Sequence, residues 1–140
     1  MFEKSTSRSH IPETLHHARR LIDYGCDAPL DVRRLAAEAG LSPYHFIRQF
    51  RRAFRHTPHQ YLVRRRIESA KELLRGGASV TAACFAVGFS SVGSFSAAFR
   101  RDAGISPGEY RAVQLREAEA RRHIPACFLT MAGPDRTHSD

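Results

Sequence analysis

The stretch Leu35–Arg55 decides the fold, and it reads LAAEAGLSPYHFIRQFRRAFR. A short alanine-rich segment comes first, and Gly40 follows where a helix is expected to stop. Ser42 then stands directly before Pro43, the usual order of a hydroxyl N-cap and a proline at the first helical position. The stretch therefore predicts a short helix, a turn and a longer helix, which is the order of a helix-turn-helix.

The same order of elements occurs a second time from Ala83, where the chain reads ACFAVGFSSVGSFSAAFRRDAG. The first part of this copy lies 48 residues after its counterpart, and one extra residue in the second turn moves the offset to 49. Phe46 and Phe50 accordingly match Phe95 and Phe99. One such segment is modest evidence, whereas two in the same order strongly favour a protein built from two helix-turn-helix units.

Helix start signals outside the two copies predict an all-α chain. Thr57 and Ser106 each precede a proline, and Gln60 and Glu109 follow three residues later, at the spacing of a capping box. Alternation of apolar and polar residues typical of a strand does not occur before residue 124. About seven helices are predicted, over residues 12–24, 31–39, 43–55, 58–75, 79–87, 91–103 and 107 to about 121.

The positive charge of the chain is concentrated in one part of it. The formal net charge is +8, and all but two of the 22 lysine and arginine residues are arginine. No acidic residue occurs from Ala39 through Ile67. That window contains seven arginines: Arg48, Arg51, Arg52, Arg55, Arg64, Arg65 and Arg66. Because like charges repel, such a window favours a polyanionic partner over an ordinary solvated surface.

Placed on a helix at about 100° per residue, residues 43–55 separate into two faces. Phe46 and Phe50 fall on the apolar face, while the opposite face is polar and lacks acids: Tyr44, Arg48, Arg51 and Arg55. A B-DNA major groove, ~12 Å wide, admits one such helix. The predicted helix 58–75 is ~27 Å long, comparable with the ~34 Å between successive major-groove turns. It is long enough to hold two reading helices on one side of a duplex.

A long signature runs through both copies and the helix between them: Leu35-Ala36, Gly40-Leu41-Ser42-Pro43-Tyr44-His45-Phe46, Phe50-Arg51-Arg52, Thr57-Pro58-His59-Gln60-Tyr61-Leu62, Ile67, Ala70-Lys71-Glu72-Leu73-Leu74, Val87-Gly88-Phe89-Ser90-Ser91, Phe95, Phe99-Arg100-Arg101 and Gly104-Ile105-Ser106-Pro107-Gly108-Glu109-Tyr110-Arg111. From about Leu30 to Arg111 the chain thus resembles the DNA-binding module of AraC/XylS-type transcription regulators. The resemblance implies two helix-turn-helix units that bind adjacent major grooves of double-stranded DNA, often with a contact to RNA polymerase.

The resemblance also implies roles for individual residues. Base edges are expected to be read by Tyr44, His45, Ile47 and Arg48. Phosphates are expected to be contacted by Ser42, Arg51, Arg52, Arg55, Ser90, Ser91, Ser94, Arg100 and Arg101. Arg48 is the sharpest of these predictions, because an arginine paired with guanine contributes ~1–3 kcal/mol of discrimination.

Two departures from the family pattern change what is expected. Gly93 and Ala97 stand in the second copy where Tyr44 and Arg48 stand in the first, so the second unit is expected to bind mostly through phosphates. Arg55 occupies the usual position of a glycine after the helix. Either the first recognition helix runs longer, or Arg55 adopts a left-handed backbone at a cost of ~1 kcal/mol.

These elements divide the chain into a flexible N terminus (1–10), an AraC-type DNA-binding domain (11–111) and a C-terminal helix extension and tail (112–140). Within the domain, the first helix-turn-helix covers about 31–55, the linker helix 58–75 and the second helix-turn-helix about 79–103. The chain is expected to be a stand-alone member without an effector domain, acting as a monomer on DNA. The apolar run 124–132 either packs back on the domain or docks a partner, a dimer mate or a small effector.

The sequence gives little support for an enzyme, a metal-binding protein or a membrane protein. No catalytic constellation occurs, and the histidines lack metal-ligand spacings, so we expect no enzyme activity, cofactor or metal. No apolar run approaches the ~18–20 residues that cross a bilayer. The three cysteines are odd in number and widely spaced, which indicates a reducing compartment and a cytoplasmic protein. The resemblance to DNA-binding regulators implies that this protein is also associated with the nucleoid. A non-enzymatic protein-interaction adaptor and a non-specific nucleic-acid binder remain as alternatives.

Overall fold

The computed structural model describes residues 10–123, and within them the chain is entirely helical. The helices are α1 Glu13–Tyr24, α2 Val32–Glu38, α3 Pro43–Phe54, α4 Pro58–Arg75, α5 Val80–Ala86, α6 Val92–Ala103 and α7 Pro107–Arg122. The predicted all-α class is confirmed, and each helix begins and ends within one residue of its predicted bounds. The N terminus before residue 10 and the tail beyond residue 123, with its apolar run, lie outside the described residues.

Side-chain caps begin most of these helices, as the sequence predicts. Thr57 Oγ1 accepts a hydrogen bond from the Gln60 backbone N–H at 3.1 Å, and the Gln60 side chain accepts one from the Thr57 N–H at 2.9 Å. Ser106 and Glu109 form the same reciprocal pair, at 3.1 and 3.0 Å. Caps of this kind stabilise a helix by ~1 kcal/mol. They fix the starts of α4 and α7, the helices that follow α3 and α6.

Among the described residues, buried side chains form two separate hydrophobic cores, one for each sequence copy. The first core contains Leu15, Ala18, Ile22, Leu35, Ala36, Phe46, Phe50 and Leu62. The second contains Ile67, Ala70, Leu74, Ala83, Cys84, Val87, Phe95, Ala98 and Phe99. Helix α4 contributes to both, because its first half packs into one core and its second half into the other. The protein is therefore two helix-turn-helix units built on one shared helix.

Arg66 in the middle of α4 ties the loop between α1 and α2 to this shared helix. Its Nε donates to the Cys26 carbonyl at 2.6 Å and its Nη2 donates to the Ala28 carbonyl at 2.9 Å. The same guanidinium lies 5.7 Å from the ring centroid of Phe89, which belongs to the second unit. One side chain thus contacts a loop of the first unit and a turn of the second.

The two units also meet through their backbones at Gly88, in the turn between α5 and α6. Gly88 has φ 102, in the left-handed region that favours glycine. A Cβ at this position would lie 2.6 Å from the carbonyl oxygen of Asp27. Because Cβ atoms essentially never approach another atom so closely, a larger side chain at this position would force the Asp27 loop to shift. The glycine allows the loop to approach closely.

No helix between residues 10 and 123 combines the length and the apolar character that crossing a membrane requires.

Candidate nucleic-acid interface

The exposed face of α3 carries the residues predicted to read bases. Phe46 and Phe50 are completely buried on the opposite face, which fixes the rotation of the helix. Tyr44 is 65% exposed, and Arg48 is exposed beside it. The Arg48 guanidinium carbon lies 5.6 Å from the Tyr44 ring centroid, within the range of a cation–π contact. Tyr44 therefore restrains Arg48 before any partner binds.

The start of α3 holds the other predicted base readers at its edge. Ser42 Oγ accepts a hydrogen bond from the His45 backbone N–H at 3.2 Å and lies 2.9 Å from His45 Nδ1. His45 is exposed, and its ring position is set by this contact with the capping hydroxyl. Ile47 is half-buried against the first core, so it stands at the boundary of the exposed face. A phosphate bound by Ser42 would share the hydroxyl with His45.

The four arginines of α3 and its C-cap form a continuous basic surface. Arg48, Arg51, Arg52 and Arg55 together line a cavity of about 320 Å³. All four are exposed, and within residues 10–123 none of them lies within 4.0 Å of a carboxylate oxygen. Their charge is therefore available to an external anion, and guanidinium groups match phosphate oxygens two bonds at a time.

The remaining arginines of the acid-free window have other partners. Arg65 Nε lies 3.1 Å from Asp23 Oδ1, and Arg64 Nη1 lies 3.7 Å from Asp102 Oδ1. Arg66 is bound to two backbone carbonyls. The window of seven arginines thus contains four exposed ones on α3 and its C-cap and three on α4 that contact α6, α1 and the loop between α1 and α2.

Arg55 resolves the choice left open by its position after the recognition helix. Helix α3 ends at Phe54, and Arg55 adopts φ 70, the left-handed conformation. Its backbone N–H still donates to the Arg51 carbonyl at 2.7 Å, which closes the helix. Arg55 is the one non-glycine residue with positive φ between residues 10 and 123. Arg55 places a guanidinium at the end of the basic surface, where glycine would supply none. Its left-handed backbone costs ~1 kcal/mol.

The corresponding face of α6 is much less equipped for reading bases. Gly93 and Ala97 are exposed at the positions that Tyr44 and Arg48 hold in α3, and open space surrounds Gly93. Ser91 Oγ accepts from the Ser94 backbone N–H at 3.2 Å and caps the helix. The residues predicted to contact phosphates on this unit are all exposed: Ser90, Ser91, Ser94, Arg100 and Arg101. These groups match phosphates better than base edges.

Comparison with known proteins identifies the family of this chain. The family described as a helix-turn-helix domain matches residues 35–112. The probable transcriptional regulator LumQ of Photobacterium leiognathi is 38% identical over 86 residues, which are 59% of this chain and 34% of LumQ. The MmsAB operon regulatory protein of Pseudomonas aeruginosa is 36% identical over 85 residues, or 60% of this chain and 28% of that protein. The chain thus spans about a third or less of the length of these relatives.

Solved structures agree with this match. A probable AraC family transcriptional regulator from Rhodopseudomonas palustris superposes with a TM-score of 0.67 at 27% identity, covering 74% of this chain and 98% of that one. The DNA-binding domain of AdpA, a global transcriptional factor solved in complex with a target DNA, superposes with a TM-score of 0.66 at 33% identity, covering 71% of this chain and 90% of that one. The chain belongs to the AraC-type family of helix-turn-helix DNA-binding transcription regulators.

Proposed function

We propose that this protein is a sequence-specific regulator that inserts α3 and α6 into adjacent major grooves of double-stranded DNA. The exposed face of α3 carries the proposal, because it presents Tyr44 and Arg48 beside arginines that have no carboxylate partner among the described residues. The likeness to AdpA, which was solved on a target DNA, supports the same mode of binding. A regulator of this kind acts at the chromosome and associates with the nucleoid.

The two units contribute differently to the proposed complex. In the first, base edges are read by Tyr44, His45, Ile47 and Arg48, while phosphates are held by Ser42, Arg51, Arg52 and Arg55. In the second, Ser90, Ser91, Ser94, Arg100 and Arg101 bind mainly the backbone, which positions the protein without reading sequence. One molecule supplies both recognition helices, so a monomer suffices on DNA. In this proposal, surface outside the DNA interface contacts RNA polymerase.

Selection of bound fragments from random DNA, followed by affinity measurements on the selected site, tests this proposal. We expect Arg48→Ala to reduce the difference in binding free energy between the selected duplex and a scrambled duplex by about 1–3 kcal/mol. Arg51→Ala should weaken both duplexes about equally, because phosphates carry no sequence information. Arg116→Ala, on the exposed side of α7, removes the same charge away from α3 and serves as the control.

The outcomes separate the proposal from its alternatives. If no sequence is enriched and all duplexes bind alike with strong salt dependence, the protein is a non-specific nucleic-acid binder. If binding is weak and insensitive to salt, the protein is an adaptor, since each neutralised phosphate contributes about −0.9 to the log–log salt slope. An unchanged affinity ratio in Arg48→Ala would remove Arg48 from the base readers.

A further inference from the structure

A cleft lies between the two units, and most of the residues that line it are not among the predicted DNA contacts. Its volume is about 650 Å³. The walls come from the C-terminal end of α3, the first half of α4 and the last half of α6: Arg51, Arg55, His56, His59, Gln60, Val63, Arg64, Ala98, Arg101 and Asp102. The cleft is therefore a composite feature that neither unit forms alone.

The cleft carries much more positive than negative charge. Four arginines line it, and Asp102 is its single carboxylate. That carboxylate already has two cationic partners, because Lys71 Nζ lies 3.3 Å from Oδ2 and Arg64 Nη1 lies 3.7 Å from Oδ1. Within the described residues, Arg51, Arg55 and Arg101 have no acidic partner. The arrangement leaves guanidinium donors directed at a space large enough for an anion.

The cleft opens on the same side of the molecule as the reading face of α3. Arg51 and Arg55 line both the cleft and the smaller cavity that they share with Arg48. The basic surface is thus continuous from the base readers of α3, through the cleft, to Arg101 on α6. Because the lining comes from both units, an anion bound in the cleft lies between them.

We propose that this cleft binds the sugar–phosphate backbone of the DNA segment that joins the two major grooves. The inference rests on the proposed function and adds His56, His59, Gln60 and Arg64 to the DNA-binding residues. Guanidinium forks and imidazole N–H groups are donors that phosphate oxygens accept from. Because a free phosphorylated small molecule offers the same chemistry, the test must distinguish the backbone from a free anion.

His59→Glu is the variant that tests the cleft with least risk to folding. His59 is exposed at the second position of α4, where a carboxylate is favourable at the positive end of the helix dipole. Gly108 holds the equivalent position of α7, outside the cleft, and Gly108→Glu introduces the same charge beside the same kind of capping box. The two variants form a matched pair, provided that both retain the wild-type melting temperature.

Affinity for the selected duplex is measured from 50 to 200 mM salt. For each phosphate that the protein no longer neutralises, the affinity ratio between these salts should shrink about 3-fold. We expect that change in His59→Glu and not in Gly108→Glu. A neutral methylphosphonate, placed singly along the central backbone, identifies the phosphate. At one or two positions it should weaken binding by wild type and weaken binding by His59→Glu less, because it also removes the repulsion between the new carboxylate and that phosphate.

Two results would overturn the inference. Equal salt responses in His59→Glu and Gly108→Glu, with no coupling to any central methylphosphonate, would show that the cleft does not touch the backbone. Inorganic phosphate that shifts the His56 and His59 NMR resonances without DNA, in the absence of such coupling, would assign the cleft to a free anion instead. Either result leaves the proposed function standing if Arg48→Ala still loses sequence preference, so the two failures are distinguishable.

Discussion

Replacing Gly88 by alanine tests whether the two units are held by direct contact between their backbones. The new Cβ would lie 2.6 Å from the carbonyl oxygen and 3.0 Å from the carbonyl carbon of Asp27. Gly40 occupies the equivalent turn of the first unit, also with positive φ, and a Cβ there meets nothing within 4 Å. Gly40→Ala therefore shares the backbone cost and lacks the clash.

The expected loss follows from these two contributions. Alanine in a left-handed conformation costs ~1–2 kcal/mol, and Gly40→Ala should lose only this amount. At Gly88 the Asp27 oxygen must retreat by about 0.8 Å to reach an ordinary contact of 3.4 Å. Overpacking of this kind adds ~1–3 kcal/mol, so Gly88→Ala should lose ~2–5 kcal/mol of a total of ~5–15 kcal/mol.

Urea denaturation of both variants and wild type measures these free energies of unfolding. The affinity of the folded variants for the selected duplex then shows whether the two units have moved relative to each other. We expect Gly88→Ala to lose more stability than Gly40→Ala and to bind the duplex less tightly. Equal losses of stability in the two variants would refute the reasoning, because they would mean that the Asp27 loop moves aside at no cost.

Three further perturbations have definite expected outcomes. Arg55→Gly should stabilise by ~1 kcal/mol in urea while weakening DNA binding, and a destabilised variant would contradict the strain at φ 70. Burial, followed by a hydrogen bond to Asp23, raises the pKa of Tyr61 to about 12. The contribution of Tyr61 to stability is therefore complete below pH 10 and is lost as pH rises through 12. The melting temperature of Tyr61→Phe should fall less than that of wild type over this alkaline range. Hydrogen bonds from Ser106 lower the pKa of Glu109, and this contribution disappears as pH falls through the lowered value. Glu109→Gln, which keeps a side-chain oxygen for the Ser106 backbone N–H but does not titrate, should narrow the melting-temperature difference between neutral and acid pH. An unchanged difference would exclude Glu109 as its source.

Much of the fold could be predicted from the sequence because its signals are local. The hydroxyl before each proline begins a helix, as at Thr57 and Ser106, and a nearby glutamine or glutamate completes the cap three residues later. The repeated phenylalanines, such as Phe46 and Phe95, occupy equivalent buried places in their two cores. Each of these inferences needs only the neighbouring residues and the helical repeat.

Contacts between distant residues could not be predicted in the same way. Arg66 binds carbonyls 38 and 40 residues earlier in the chain, and Arg111 binds those of Gly77 and Ala78, 34 and 33 residues earlier. A count of charge along the sequence treats these arginines like Arg48, which faces outward. Every residue has a backbone carbonyl, so the sequence does not show which carbonyl an arginine will bind. Only the packed structure separates the arginines that hold the fold together from those that are exposed to a partner.

The candidate site could likewise be predicted only in part. Tyr44, Arg48 and Arg51 could be assigned to one face because helical spacing alone determines which residues share it. The cleft could not be anticipated, since His59 and Arg101 line it together only because α4 packs against α6. No periodicity connects residues on two different helices.

The shared helix α4 has a consequence for how the chain folds. Its 18 residues are divided between the two cores, and each half is shorter than the ~12–15 residues that an isolated helix needs to persist in water. If either unit unfolds, its half of α4 loses the core against which it packs. The other half of α4 then ends in unfolded chain and frays at that end. We therefore expect the two units to fold and unfold as one cooperative body.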